Sequence, residues 1–294
     1  MTSPPADADS MRAAPGAPAA SGTSERPRLG LALAPGQVRY QLLLLVRNPL
    51  GSFITVVVPL MLLIALDLVT PEMTLQSLGG VPVVQFLTPA MASFAVLNAG
   101  FVDVVVGTTV ARDQGVLRRL HATPLPTWAL LIGRLGASAI VAAGSVLVVL
   151  GVGIIFLHAH LASSAIPGLV LSTTVGLLVS FALGVVCSTL VPSTEAALPV
   201  AYGLMLPVAF ISEVFFPAPG EAAWLRSVAA ALPVAPFAHA MESAFAVPPH
   251  GMTGGQLGVL LAWGVGAAVV AIFTFRWEPG GLRRQRARAR SSLR

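Results

Sequence analysis

The 294-residue sequence contains no lysine, so all 17 of its basic residues are arginines. A phosphate-binding P-loop needs a lysine that reaches the terminal phosphates of the nucleotide. A Ser-Lys dyad and a Schiff base need a lysine too. The zinc motif H-E-x-x-H and the nucleophile motif G-x-S-x-G are also absent. The sequence therefore excludes a P-loop in this chain and shows none of the common hydrolase motifs.

Charged residues and cysteine are scarce as well. Only 10% of the residues are charged and 55% are hydrophobic, whereas a soluble domain is about 25% charged. This composition predicts an integral membrane protein. The single cysteine, Cys187, excludes an intrachain disulfide and a cysteine-based metal cluster. The first 30 residues lack the apolar core of a cleavable signal peptide, so we expect none.

Six apolar runs, each near the ~20 residues that a membrane-crossing helix needs, predict an all-α membrane domain over residues 36–277. Residues 36–47 place apolar side chains on one helical face and predict a helix lying in the membrane interface. We expect residues 1–35, rich in Pro, Ala, Gly and Ser, to be a disordered tail, and residues 278–294 to be a basic tail. The predicted spans are residues 50–69, 86–110, 135–157, 165–190, 195–215 and 255–276.

The arginines are distributed unevenly around these spans. Five arginines precede the first span, four lie in or beside the loop after the second span, and seven lie between Arg276 and the end of the sequence. Cytoplasmic loops keep arginine while translocated loops lose it, so both termini are expected in the cytoplasm and the protein in the inner (cytoplasmic) membrane. Residues 212–254, with helical apolar spacing broken by prolines, predict a re-entrant helical outer segment before the last span.

Positive charge beside apolar runs is suited to anionic membrane lipid, and we expect no nucleic-acid partner. His158 and His160 form an H-x-H pair, but a zinc site needs more ligands, so no metal is expected.

The fourth span carries small residues at every fourth position from Gly168 to Ser188. Such a row favours close helix packing, and its ~40° advance per step means that it faces different neighbours along its length.

The loop after the second span has a patterned start. Arg112 and Asp113 are followed by Gly115, and then by an amphipathic segment that sets Arg118 and Arg119 against apolar residues. Arginine forks bind carboxylates well, so this segment suits docking on a protein. A basic loop that only sets the topology explains the same composition.

The pattern Arg-acid-x-Gly-x-Leu-Arg-Arg-Leu-x-Ala-Thr-Pro-Leu-Pro in this loop resembles the cytoplasmic loop of type-2 ABC exporter permeases. These are daunorubicin-resistance-like membrane subunits with an ABCG-like transmembrane fold. The resemblance covers nearly the whole chain, including a weaker match at residues 232–241. The sequence departs from the family pattern in two places. Gln114 stands where the family often has an acidic residue, and Ser243 and Ala244 stand where an arginine often follows the match at residues 232–241.

The resemblance implies that the loop is a coupling helix docking on a separate ATP-binding subunit. The matching positions are Arg112, Asp113, Gly115, Leu117, Arg118, Arg119, Leu120 and Pro124. ATP and magnesium would then be held by the partner ATPase, and this chain would be no enzyme and need no cofactor. A second copy or a similar permease would pair with it in lipid, and the substrate would be a hydrophobic or amphipathic drug, antibiotic or lipid moved outward.

In that family the second and fifth spans line the translocation path. The candidates on the path are Asn98, Phe101, Tyr202, Met205 and Phe210. Asp103 joins them because a carboxylate ~10 Å inside the membrane needs a cavity or a partner; a structural and a transport role are both open. The candidate outer gate consists of Glu213, Glu221 and Arg226.

Two other classes of function stay open. An ion-coupled or passive transporter without an ATPase would use Asp103 as its proton or ion site. An intramembrane hydrolase is a more distant alternative, because the nucleophile motifs are missing.

Overall fold

The computed structural model describes residues 49–70, 74–75, 80–115, 127–215, 222–246 and 248–274. Within these ranges most residues are helical. The helices are α1 (Pro49–Val69), α2 (Val83–Leu97), α3 (Asp103–Asp113), α4 (Thr127–Ile155), α5 (Ile166–Leu190), α6 (Thr194–Ile211), α7 (Ala223–Ala231), α8 (Val234–Glu242) and α9 (Gly254–Thr274). The predicted interfacial helix 36–47 and the tails 1–35 and 278–294 lie outside the described residues.

Short elements complete these helices. A π-helical turn, Asn98–Val102, joins α2 to α3, and 3-10 turns at Ser163–Ala165 and Ser243–Phe245 precede α5 and follow α8. Strands β1 (Thr74–Leu75) and β2 (Val81–Pro82) pair antiparallel just before α2.

The all-α membrane fold predicted from the apolar runs is confirmed. Five helical units in the described ranges are long and apolar enough to cross a membrane: Val83–Asp113, Ile132–Ile155, Ser163–Leu190, Thr194–Ile211 and Gly254–Phe273. Helix α1 adds 21 mostly apolar residues, which at 1.5 Å per residue extend ~30 Å, the thickness of the hydrocarbon core. These helices lie where the sequence predicts the six spans.

Contacts between the helices show their directions. A Cβ on Gly168, at the start of α5, would lie 3.6 Å from Gly251, just before α9, and a Cβ on Gly264 would lie 3.2 Å from Val179. Since the sequence order is the same on both helices, α5 and α9 run parallel. Helix α6 runs opposite to them, because only three residues separate it from the end of α5.

Helices α7 and α8 form a re-entrant hairpin rather than a span. Helix α7 and the segment Val234–Phe245 meet at 90°. The parallel course of α5 and α9 places the start of α9 at the end of the bundle where α5 begins, which is also where α6 finishes. The hairpin therefore leaves and returns to one end of the bundle, as the sequence predicts for this segment.

The small residues of α5 contact different neighbours along the length of the helix. Gly168 approaches the start of α9, Ser172 donates to the α8 carbonyl of Ala240 at 3.3 Å, and Gly176 lies against Phe237 of α8. Gly184 packs on the backbone of the π turn. The predicted spiral of the row is confirmed, and its function is close packing.

Candidate functional site

Arg112, at the end of α3, binds the connection between α5 and α6. Its guanidinium donates to the carbonyl of Ser188 at 3.0 Å and to that of Val191 at 2.6 Å. These carbonyls belong to the end of α5, where helical carbonyls have no intrahelical donor. A planar guanidinium with several fixed N–H groups can satisfy two of them at once.

Asp113 completes this connection. One carboxylate oxygen accepts hydrogen bonds from both the backbone N–H and the hydroxyl of Thr194, each at 2.8 Å. The other lies 3.7 Å from the Arg112 guanidinium. Together these contacts form an α3 clamp, which consists of Arg112, Asp113, Ser188, Val191 and Thr194. The first two residues of the predicted coupling loop thus bind within their own chain.

Gly115 ends the helix that carries the clamp. Its φ is +68°, a left-handed conformation that glycine adopts without strain, and its N–H donates to the carbonyl of Arg112 at 3.1 Å. This is the usual glycine stop of a helix. Five further residues of the predicted coupling loop lie outside the described part of the chain: Leu117, Arg118, Arg119, Leu120 and Pro124.

Replacing Asp113 by alanine is expected to expose the Thr194 amide. This N–H belongs to the first turn of α6, which has no intrahelical acceptor. Hydrogen bonds to charged groups contribute about 1.5–3 kcal/mol, so amide exchange at Thr194 should accelerate roughly 10- to 100-fold. Hydrogen exchange followed by mass spectrometry measures this change. Gln114→Ala, at the exposed neighbouring position, is the control and should leave the exchange unchanged; equal exchange in Asp113→Ala would refute the clamp.

Two of the predicted path residues meet between the second and fifth spans. The Tyr202 hydroxyl of α6 donates to the Asn98 side-chain oxygen at 2.8 Å, and the Asn98 amide donates to the carbonyl of Phe94 at 2.9 Å. Asn98 is buried and opens the π turn. Such turns are frequent at functional sites, and here the turn brings a polar pair into an apolar interior.

An apolar cavity of about 300 Å³ lies beside this pair. Phe101 and Met205, both predicted on the path, line it, and the Trp263 indole closes one side while donating to the carbonyl of Ala231 at 2.8 Å. Phe210 is not part of the wall; it is exposed, and its ring packs 4.7 Å from that of Phe215. Further lining residues are Leu97, Val179, Leu204, Phe237 and Leu260.

Asp103 lies apart from the cavity wall, among α1, α3 and α4. The Thr55 hydroxyl donates to its carboxylate at 2.8 Å, and Arg134 of α4 donates to its backbone carbonyl at 3.1 Å. The Arg134 guanidinium fits against Gly107, where a Cβ would collide with it. Asp103 therefore joins three spans, and positive charge is close to it inside the bundle.

Two of the three candidate gate residues, Glu213 and Arg226, lie at the end of the bundle where the hairpin is. Glu213 has a φ of +56° and lies within electrostatic reach of His239 and Glu242 on α8. Arg226 is exposed on α7, and no ion pair joins it to Glu213 in the described part of the chain. Glu221 lies outside that part.

Sequence reasoning missed two ionisable residues that lie partly buried inside the fold. Arg134 was interpreted only as part of a basic loop, although it lies inside an apolar run, which is a signal for a buried partner. Glu242 follows directly after the apolar segment 232–241. Its position beside that segment was the available signal, but the sequence does not show that the hairpin encloses it.

The comparisons with known proteins agree with this architecture. The family described as ABC-2 type transporter matches residues 38–246, more than two thirds of the chain. No curated protein matches the chain. The matched region begins before α1 and includes the spans α1 to α6, the clamp, the polar pair and the hairpin up to the 3-10 turn after α8. The chain is thus a multi-pass membrane protein that belongs to the ABC-2 type transporter family.

Proposed function

We propose that the chain is the permease subunit of an exporter that a separate ATP-binding subunit drives. It moves a hydrophobic or amphipathic molecule, such as a drug, an antibiotic or a lipid, outward across the cytoplasmic membrane. The observation that carries the proposal is the apolar cavity, since Phe101 and Met205 line it within a bundle of the ABC-2 type transporter family. Pockets for such ligands are lined by apolar and aromatic side chains with few polar groups.

The α3 clamp supplies a route from the loop to the path. A force applied to the loop after α3 acts through Arg112 and Asp113 on the start of α6. Helix α6 carries Tyr202 and Met205, so its displacement changes both the polar pair and the cavity wall. Two packed arrangements of these helices would give alternating access. The ATPase itself belongs to another chain, because a P-loop needs the lysine that this chain lacks.

The test is Arg118→Glu combined with Arg119→Glu in the complex with a co-expressed ATP-binding subunit. Charge reversal at a docking surface creates repulsion and weakens association, so co-purification and substrate-stimulated ATP hydrolysis in liposomes should fall at least about tenfold. The matched control reverses another adjacent arginine pair near the chain end, Arg283→Glu with Arg284→Glu. It should leave co-purification and substrate-stimulated ATP hydrolysis unchanged. Intact binding and transport in the first variant would show that this loop does not couple to the ATPase.

Ion-coupled transport without an ATPase is the second candidate, with Asp103 as its ion site. The contacts of Asp103 with Thr55 and the nearby Arg134 support a structural role instead, because the carboxylate is already compensated. In the same liposomes, transport that stops with an uncoupler and continues without ATP would favour this candidate. Transport that follows ATP and ignores the uncoupler is the expected result.

A further inference from the structure

A second cavity, the hairpin cavity, lies at the end of the bundle where α2 begins. Its volume is about 350 Å³. Unlike the apolar cavity between the spans, it has a wall with several polar side chains. The residues on which its chemistry depends are Gln85, Phe86, His239, Glu242, Ala246 and His250.

Gln85 holds the walls of the hairpin cavity in place. Its amide nitrogen donates to the carbonyl of Phe245 at 2.8 Å and to that of His160 at 2.6 Å, while its oxygen accepts from the His160 N–H at 2.8 Å. The second span, the connection after α4 and the hairpin therefore meet at one side chain. The cavity is a built part of the fold, since three separate segments are fixed around it.

Glu242 is the unexplained group in this cavity. One of its carboxylate oxygens, Oε1, is buried and has no hydrogen-bond partner among the residues that the structure describes. A buried polar oxygen without a partner costs about 1–3 kcal/mol, and a buried charge costs more. A side chain of this kind in the wall of a cavity is suited to a ligand that supplies the missing donor.

None of the described residues that line the cavity is an arginine or a lysine, so a cationic ligand can supply the charge that an ionised Glu242 needs. Burial, together with nearby Glu213, raises the pKa of Glu242 to about 8, so the empty cavity carries a neutral carboxyl at pH 7. Burial lowers the pKa of His239, with Glu213 opposing it, so this imidazole is uncharged there. His250 is the remaining titratable group in the wall.

The donor set argues for an organic cation over a metal ion. In the described ranges, no three His, Cys, Asp or Glu side chains are arranged to hold a metal. An ammonium group carries three N–H donors and a single charge. It can bond to Glu242 while its other donors face carbonyls or water.

We propose that the hairpin cavity binds the primary ammonium group of an amphipathic amine through Glu242. The amine bonds to the carboxylate, the alkyl part lies against Phe86 and Phe245, and Gln85 keeps the walls together. The site depends on the hairpin cavity alone and holds whether or not the chain is an exporter. The amine comes either from a transported molecule or from a lipid headgroup.

The test measures binding of radiolabelled n-butylammonium to the full-length chain in phosphatidylcholine nanodiscs, with n-butanol as the uncharged analogue. Glu242→Gln should bind at least about tenfold more weakly, because it loses a charge-assisted hydrogen bond. Glu195→Gln is the matched control: this glutamate is exposed at the opposite end of the bundle, and binding should not change. Equal binding by Glu242→Gln, or wild-type binding no better than that of n-butanol, would overturn the proposal.

The pH profile gives a second, independent readout. Binding of a cation favours the ionised carboxylate, so affinity should rise by up to about tenfold per pH unit from pH 6 to 8 and then level off. The alkylammonium stays protonated over this range, as a lysine side chain does. A flat profile in the wild-type protein would contradict the assignment, even if Glu242→Gln failed to fold.

Ala246→Leu tests whether the amine occupies the hairpin cavity, without changing the charge of Glu242. It fills the cavity wall and keeps Glu242, so it should abolish binding while the protein still elutes as a single species. Unchanged binding in this variant would place the amine elsewhere and refute the site.

Nanodiscs that contain phosphatidylethanolamine identify the source of the amine. If this lipid competes with n-butylammonium, the site binds a lipid headgroup; if it does not compete, the site binds a soluble or transported amine.

Discussion

Arg134→Met is expected to lower the free energy of unfolding by about 1.5–3 kcal/mol, because the Asp103 carbonyl loses its hydrogen bond to a charged group and the Asp103 carboxylate loses the positive charge near it. Arg134 bonds to the Asp103 backbone, and its charge is close to the Asp103 carboxylate inside the bundle. The Thr55 hydroxyl then remains as a hydrogen-bond donor to that carboxylate. Unfolding in mixed detergent with increasing SDS measures the loss.

The matched control is Arg226→Met, because Arg226 is exposed on α7 and makes no ion pair with a described residue. Its loss should change the free energy of unfolding by no more than about 0.5 kcal/mol. The double variant Asp103→Asn with Arg134→Met should be less destabilised than the sum of the single ones, by about 0.5–3 kcal/mol. Additive losses would show that the two residues act independently.

Gly176→Ala is expected to disturb the contact between the fourth span and the hairpin. A Cβ at this position would collide with the ring of Phe237, which is almost fully buried and also lines the apolar cavity. Added volume in a packed interior costs about 1–3 kcal/mol. The ring has to move, so the hairpin shifts and the cavity changes shape. The loss should appear in the same SDS unfolding assay, together with reduced substrate-stimulated ATP hydrolysis in the complex.

Gly203→Ala on α6 is the control for replacing a helical glycine by alanine. Among the described residues, no atom outside its own helix lies within 4 Å of a Cβ there, so the variant should be neutral or slightly stabilised, because alanine favours helices over glycine. Adding Phe237→Leu to Gly176→Ala should recover part of the lost stability, since leucine is smaller than the ring it replaces. No recovery would mean that the collision is not the cause.

The spans were predictable because membrane crossing leaves a strong local signal. About 20 apolar residues in a row are needed whatever the neighbours are, and the apolar runs therefore coincide with the helices from Pro49 to Thr274. The family resemblance, drawn from the loop pattern that starts at Arg112, is likewise confirmed by the match over residues 38–246. Its detailed assignments, the coupling contacts and the gate, stay predictions.

The α3 clamp was not predictable from the loop pattern. Arg112 and Asp113 are separated by about 80 residues from the carbonyls and the Thr194 amide that they bind. Which distant groups lie within reach depends on how α3 and the α5–α6 turn pack. The same loop sequence is compatible with a free docking surface, so only the three-dimensional arrangement shows that its first two residues are already engaged.

The sequence by itself determined what each local segment must be: a set of membrane helices, a spiral of small residues on the fourth, and a chain without a P-loop. These properties follow from hydropathy, periodicity and residue chemistry over short distances. The tertiary structure alone decided the partners, since Tyr202 meets Asn98, Arg134 meets Asp103, and the hairpin encloses Glu242. In each case the residues come from separate helices, and the packing that brings them together is a property of the whole bundle.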